Sequence, residues 1–306
     1  MFKHKRIAKL AIFLVLIAIG ASGCKSQFEK LRASNDTGRK YQTAIKLYED
    51  QRYNKALILF DDLVQKFRGR AEAEDLYFYY AYTNYYLKDY LTARHHFRTF
   101  VDNYPSSPRA EEARYMVAYC MYLESPVYTL DQSSSMKAIE ALQLYINYYP
   151  QSERAEEAST LIDELRDRLE RKSFETAKLF LDMGDYLAAV ISFSNSVRDF
   201  PDTKYDEEIS YMTAQAQFLY AKNSSERRQK ERYTEAIEFA DEYLQAYPEG
   251  QYIKDASKIK KDSAKGIDTA EALLASWEQA QKENIRLRES REETEDANVN
   301  PTLPQE

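Results

Sequence analysis

Five segments of the chain share one arrangement of apolar and polar positions. Four of them close on an aromatic residue and a proline: Tyr104-Pro105, Tyr149-Pro150, Phe200-Pro201 and Tyr247-Pro248. Twelve residues before each proline stands an alanine, Ala93, Ala138, Ala189 or Ala236. The fifth copy, nearest the N-terminus, has Ala56 with Phe67 eleven residues later and Arg68 where the proline would be. Three residues before the alanine come Tyr53, Tyr90, Tyr186 and Tyr233, with Ser135 in the third copy. Four after it come Phe60, Phe97, Leu142, Phe193 and Ala240. Positions spaced in this way fall on one face of a 3.6-residue helix, so each segment is predicted to be an amphipathic helix. The small residue at the centre of that face lets another helix approach. The proline lacks an N–H and clashes with the preceding turn, so it marks where the helix has stopped.

A second pattern follows each proline. Ser107-Pro108-Arg109-Ala110-Glu111-Glu112-Ala113 is repeated as Ser152-Glu153-Arg154-Ala155-Glu156-Glu157-Ala158, with looser copies from Asp202 to Ile209 and from Glu249 to Ala256. A Ser or Asp cap with acidic residues in the first turn predicts a helix start, and capping accounts for the paired carboxylates. Each unit is therefore helix, turn, helix. One such unit cannot bury its apolar face, so neighbours must stack. Successive alanines are 37, 45, 51 and 47 residues apart. The extra residues are expected in inter-helix loops at Glu124–Ser135 and Lys222–Arg232 and in a linker helix at Leu161–Lys172. Residues 34–255 make up the repeats, and 256–291 a charged helical extension. Residues 292–306, acidic and without an apolar face, are expected to be disordered.

These residues resemble the tetratricopeptide repeat. The likeness rests on the alanine–proline spacing, the aromatic three before the alanine, the small residues Ala44, Ala81 and Ala177 twelve before it, and the turn Leu181-Asp182-Met183-Gly184-Asp185-Tyr186. The resemblance implies an all-α fold, a right-handed superhelical solenoid of five helix-turn-helix repeats. Three stretches narrow it further: Glu164 to Glu170, Lys178 to Ala189, and the loop Tyr128-Thr129-Leu130-Asp131-Gln132. With a cysteine just ahead of the repeats, they are similar to the BamD family of outer-membrane β-barrel assembly lipoproteins.

The N-terminus bears on compartment. Lys3, Lys5, Arg6 and Lys9 precede the apolar run Leu10–Ile19, ten residues that are too few for a permanent membrane span. Gly20-Ala21-Ser22-Gly23 and then Cys24 resemble a bacterial lipobox, although Ala21 stands where leucine is common. This implies a signal peptide over 1–23, acylation of Cys24, a lipidated linker over 24–33, and a chain held to outer-membrane lipid on the periplasmic face. Without the four basic residues of the signal, 50 acidic residues face 39 basic ones, a net charge of −11. Such a chain is a poor partner for nucleic acid.

Chemistry is sparse. Of three histidines, His4 lies in the signal, and His95 and His96 are neighbours that point about 100° apart on a helix, too divergent to chelate one metal. Cys120 sits in an apolar helical run and reads as core. No phosphate loop or nucleophile elbow is present, and neither an enzyme nor a cofactor is expected. The family pattern places a peptide-binding face on the first helix of each repeat. It implies Tyr41, Ile45 and Tyr48 in the first repeat and Phe78, Tyr82, Tyr85 and Tyr86 in the second, either as a groove for unfolded, aromatic-ended barrel precursors or as packing. The C-terminal repeats would dock a BamA-type barrel protein. The basic cluster Lys222, Arg227, Arg228, Lys230 and Arg232 is either part of that contact or a solvated charge run. Two rival readings stand beside the barrel-assembly scaffold. One is another periplasmic repeat lipoprotein coordinating envelope or peptidoglycan machinery; the other is a glycan-capture lipoprotein whose tyrosines stack on sugars.

Overall fold

A computed structural model describes residues 27–67 and 73–299, with side chains to residue 292. The signal peptide, Cys24, Arg68 and residues 300–306 lie outside the described residues. Among the described residues the chain is all helix. A short α1 (Gln27–Arg32) precedes α2 (Thr37–Glu49), α3 (Tyr53–Phe67), α4 (Glu74–Tyr86), α5 (Tyr90–Asn103), α6 (Ala110–Leu123) and α7 (Ser133–Tyr148). Then come α8 (Ala155–Asp182), α9 (Tyr186–Asp199), α10 (Asp206–Lys222), α11 (Glu226–Ala246) and α12 (Ile253–Val299). The pairs α2–α3, α4–α5, α6–α7, α8–α9 and α10–α11 are the five expected hairpins.

The register predicted from the alanines is the one observed. Ala56, Ala93, Ala138, Ala189 and Ala236 on the second helices are fully buried, and so are Ala44, Ala81 and Ala177 on the first helices. A larger side chain at any of them would push two helices apart. The turns inside the hairpins are equally regular. Five residues before the alanine, the backbone is left-handed at Gln51 (φ 58°), Lys88 (φ 64°) and Gly184 (φ 82°). The next N–H in each case bonds back over the helix end, Arg52 to Leu47, Asp89 to Asn84 and Asp185 to Phe180, at 2.8 to 3.0 Å. That is a Schellman ending, which satisfies carbonyls the helix leaves open. Asp89 and Asp185 then cap the following helix, accepting from the Thr92 and Ala188 amides.

The chain forms two compact units, residues 1–166 and 167–306. In the first, one core gathers Ala44, Leu47, Leu59, Phe60, Leu63 and Leu76, and a larger one gathers Phe97, Phe100, Met116, Cys120, Leu142 and Leu165. In the second, Phe174, Phe193 and Ile209 centre one core and Ala214, Ala240 and Ile259 another.

Several expectations need correcting. The acidic tail was expected to be disordered from residue 292, but α12 continues to Val299. Glutamates suit a helix interior, and helix propensity requires no apolar face. The fifth repeat's loop is only Asn223–Ser225, because α11 begins at Glu226 and takes in most of the charge-rich segment. The third repeat's loop spans Glu124–Gln132 and is braced from within: the Gln132 amide donates to the Val127 and Leu130 carbonyls and accepts from the Ser135 hydroxyl at 2.8 Å. Finally, Ser107 does not cap α6, whose N-cap is Arg109 with no side-chain cap bond. The Ser107 hydroxyl instead accepts from the Arg109 amide and donates to Glu74 at 2.6 Å, in the first turn of the preceding repeat. Ser152 does the same with the Arg154 amide and Glu111, and Thr203 with the Tyr205 amide and Glu170. Glu74, Glu111 and Glu170, each seven residues before the buried alanine of its first helix, therefore staple one repeat to the turn that opens the next.

Candidate functional site: an aromatic row on the first helices

The first helices place equivalent residues at equal distances from their buried alanine. Three positions before it lie Tyr41, Phe78, Tyr115, Phe174 and Tyr211, counting from Ala44, Ala81, Ala118, Ala177 and Ala214. Four of these rings are covered by the residue immediately before the helix that opens the next repeat or, after the fifth, before α12. Arg109 lies 4.9 Å over Phe78, and Arg154 lies 4.9 Å over Tyr115. In the second unit Tyr205 stacks on Phe174 at 4.5 Å and Tyr252 on Tyr211 at 4.4 Å, with ring planes within 4°. Planar cations and planar rings serve the same end, sealing the aromatic edge of one repeat against its neighbour.

One and four positions after the alanine, the side chains emerge beside this seal. They are Ile45 and Tyr48, Tyr82 and Tyr85, then Tyr119 and Tyr122; in the fourth repeat Lys178 and Leu181 end the series. The rings form a continuous row. Tyr48 meets Tyr79 at 5.1 Å and Tyr86 at 5.9 Å, Tyr86 meets Tyr82 and Tyr85, Tyr85 meets Tyr119 at 6.3 Å, and Tyr119 stacks on Tyr122 at 5.9 Å. Tyr53, at the start of α3, stacks on Tyr86 at 4.7 Å.

Hydroxyls along the row are held as donors. Tyr82 donates to Glu112, which also faces Arg154 at 3.5 Å, and Tyr122 donates to Glu164. Burial, then the Glu112 carboxylate, pushes the Tyr82 hydroxyl far above its ordinary value. Burial and neighbouring tyrosines push Tyr85 up to about 12. The Tyr82 and Tyr85 hydroxyls therefore keep their protons, and the row is edged by the Glu112 and Glu164 carboxylates.

The sequence-derived groove is partly this row. Tyr41, Ile45 and Tyr48 are half-buried against the first core, Tyr82 and Tyr85 are half-buried within the row, and Tyr86 is 45% exposed. Phe78 is buried at 7% exposure, sealed under Arg109, and belongs to the core. The third repeat's contribution was missed, although Tyr115, Tyr119 and Tyr122 repeat the spacing of Phe78, Tyr82 and Tyr85 exactly one 37-residue step later.

The basic cluster separates on inspection. Arg232 lies 3.9 Å over Tyr220 and donates to Ser224, a local packing role. Lys230 pairs with Glu271 on α12 at 2.6 Å, and Arg228 pairs with Glu231. Lys222 and Arg227 are exposed. Of the histidines, His96 packs on Tyr80 at 4.4 Å while His95 is exposed, so they do not converge. Cys120 is buried, and burial lifts its thiol to about 12.

Relatives place this geometry. Three curated proteins are similar to the chain. "Outer membrane protein assembly factor BamD" of Caulobacter vibrioides is 23% identical over 222 residues, covering 72% of this chain and 73% of the relative. The protein of the same name from Rickettsia prowazekii is 20% identical over 257 residues, 84% of this chain and 98% of its own length. A "putative outer membrane protein assembly factor BamD" of Aquifex aeolicus is 28% identical over 199 residues, 65% and 62% of the two chains. The family model described as "YfiO: Outer membrane lipoprotein" matches residues 34–228, which takes in all five first helices. The chain therefore belongs to the YfiO family of outer membrane lipoproteins.

Proposed function

We propose that this protein is a scaffold for assembling outer-membrane β-barrel proteins, tethered to the periplasmic face of the outer membrane through acylated Cys24. Its role is to hold partners rather than to perform a chemical step. The observation that carries the reading is the aromatic row from Tyr48 to Tyr122. An unfolded barrel segment ending in an aromatic residue offers rings and apolar side chains, and a row of tyrosine rings in which Tyr82 and Tyr122 are held by carboxylates receives both. The names of the three relatives support the assembly role. The C-terminal repeats, with Lys222 and Arg227 exposed on their surface, are the proposed contact for a BamA-type barrel protein.

Two measurements test the reading. Capture through a C-terminal tag should recover a BamA-type protein, and depletion of the chain should lower folded outer-membrane barrels while unfolded precursors accumulate. Recovery of peptidoglycan enzymes alone, with barrel levels unchanged, would overturn the assembly role. For the site, Tyr86→Ala and Tyr119→Ala together should weaken binding of an aromatic-ended barrel peptide about tenfold or more, as truncation of interface aromatics does. Unchanged peptide affinity would remove the row from the reading while leaving the scaffold role standing.

A further inference from the structure

The last helix carries one stripe along two kinds of sequence. Ala256, Ile259, Ser263, Gly266 and Ala270 follow one another by alternating steps of three and four, and this half packs on α10 and α11. All but Gly266 are buried, and Gly266 lies so close to the Tyr233 ring that a methyl there would stand 2.5 Å from it. The same stepping continues without a break through Leu273, Trp277, Ala280, Asn284 and Leu287. Here the neighbours run out. α11 begins at Glu226, and Lys230 already pairs with Glu271. From Glu271 to Glu292 every residue except Leu274 is exposed, with Trp277 at 48% and Leu287 at 50%. Leu273, Leu274, Trp277, Ala280, Ile285 and Leu287 all lie within about 80° of the Trp277 direction on a helical wheel. Lys282, Arg286 and Glu289 lie opposite.

We infer that this free stripe is a seam for a second copy of the same chain, joined as a parallel two-stranded coiled coil. In heptad terms Trp277 and Asn284 take the a position and Leu273, Ala280 and Leu287 the d position. A lone asparagine at a pairs with its own counterpart in a parallel, in-register dimer and sets that register. Glu283 then falls at g and Arg288 at e, five residues on, so each faces the other across the twofold axis and the pair is made twice. An antiparallel seam would set Glu283 against Ser276 and Arg288 against Leu274, losing both pairs. A lipid surface is the poorer occupant. Helices that lie on membranes carry Lys and Arg over their polar face, whereas Glu271–Glu292 holds five acidic and four basic residues.

The test is sedimentation equilibrium of the full chain in density-matched detergent. A monomer–dimer equilibrium is expected, and Leu287→Asp should raise its dissociation constant at least about tenfold with helix content unchanged. Glu283→Arg should weaken the dimer, and Arg288→Glu added to it should restore it. Asn284→Cys, in a Cys24→Ser background, should give a disulfide-linked dimer on mild oxidation. A chain that stays monomeric to about 100 µM overturns the inference. So does a dimer indifferent to Leu287→Asp, an Asn284→Cys dimer that will not cross-link, or binding to anionic vesicles that Leu287→Asp abolishes in a chain that never dimerises.

Discussion

Gly266→Ala sets two known effects against each other. Alanine is the better helix former, by about 1 kcal/mol in a helix interior. Against that gain stands the Tyr233 ring. The new methyl would lie 2.5 Å from two of its carbons and 3.0 Å from a third. Carbon contacts settle at about 3.5–4.0 Å, so ring or helix must retreat by roughly 1 Å. The ring is poorly placed to yield, being 6% exposed, one turn from the fully buried Ala236, and packed 5.9 Å from Phe218. Lifting α12 instead would loosen Ile259 and Ser263 on the same stripe. Overpacking of this kind costs about 1–3 kcal/mol, so after the helix-propensity gain the expected net change is a loss of up to about 2 kcal/mol. Urea unfolding at one low chain concentration reads it, followed by helix content and by Trp277, the only tryptophan of the chain and a residue of α12. In a Tyr233→Leu background, where the ring is gone, Gly266→Ala should become neutral or stabilising. A rise in stability of about 1 kcal/mol in the otherwise unchanged chain would refute the close-contact reasoning.

Three further outcomes follow from buried groups. Cys120, sealed in the core with its thiol at about 12, should resist maleimide in the folded chain and react only on unfolding. Burial against Tyr80, and secondarily the neighbouring His95, pushes His96 down to about 4. Unfolding frees it to take up a proton near 6.5, so stability should fall by about 1–2 kcal/mol as pH drops from about 6.5 to about 4, after discounting for partial exposure. His96→Gln should flatten that slope in urea midpoints measured against pH. Gln132→Ala removes the amide that holds the Val127 and Leu130 carbonyls, so it should cost about 1–3 kcal/mol and open residues 124–132 to limited proteolysis.

What was legible in the sequence was whatever a single helix dictates. The alanine register held because a residue at the crossing of two helices must be small whatever its partners are, and that requirement shows as a period. Three alanines on the first helices were legible for the same reason. The staples were not. Glu74 and Ser107 are 33 residues apart, Glu111 and Ser152 are 41 apart, and nothing local to either says that stacking will bring them together. Reading those carboxylates as caps was reasonable from position and wrong about their partner. Phe78 shows the same limit from the other side. Helical position put it on the binding face, but the arginine that covers it comes from the next repeat. Tyr119 and Tyr122, the third repeat's equivalents of Tyr82 and Tyr85, could have been found by carrying the second repeat's spacing forward one step.

The same repeat positions are used differently in the two units. In the first, the ring three before the alanine is covered by arginine, and the tyrosines beyond it extend the row. In the second, the cover is itself a tyrosine, and the row positions hold Lys178 and Leu181. Arginine and tyrosine are both planar and seal an aromatic face about equally well, so stability alone does not select between them. What differs is the charge left over. Arg154 covers Tyr115 and still faces Glu112, and Glu112 in turn holds the Tyr82 hydroxyl at the margin of the row. A tyrosine at 154 would keep the stack but leave that carboxylate without its cation. Arg154 therefore also anchors the row, whereas Tyr205 and Tyr252 in the second unit close the seam by stacking. That division is what a chain needs if one unit holds a mobile, aromatic-rich segment and the other serves as a firm mount.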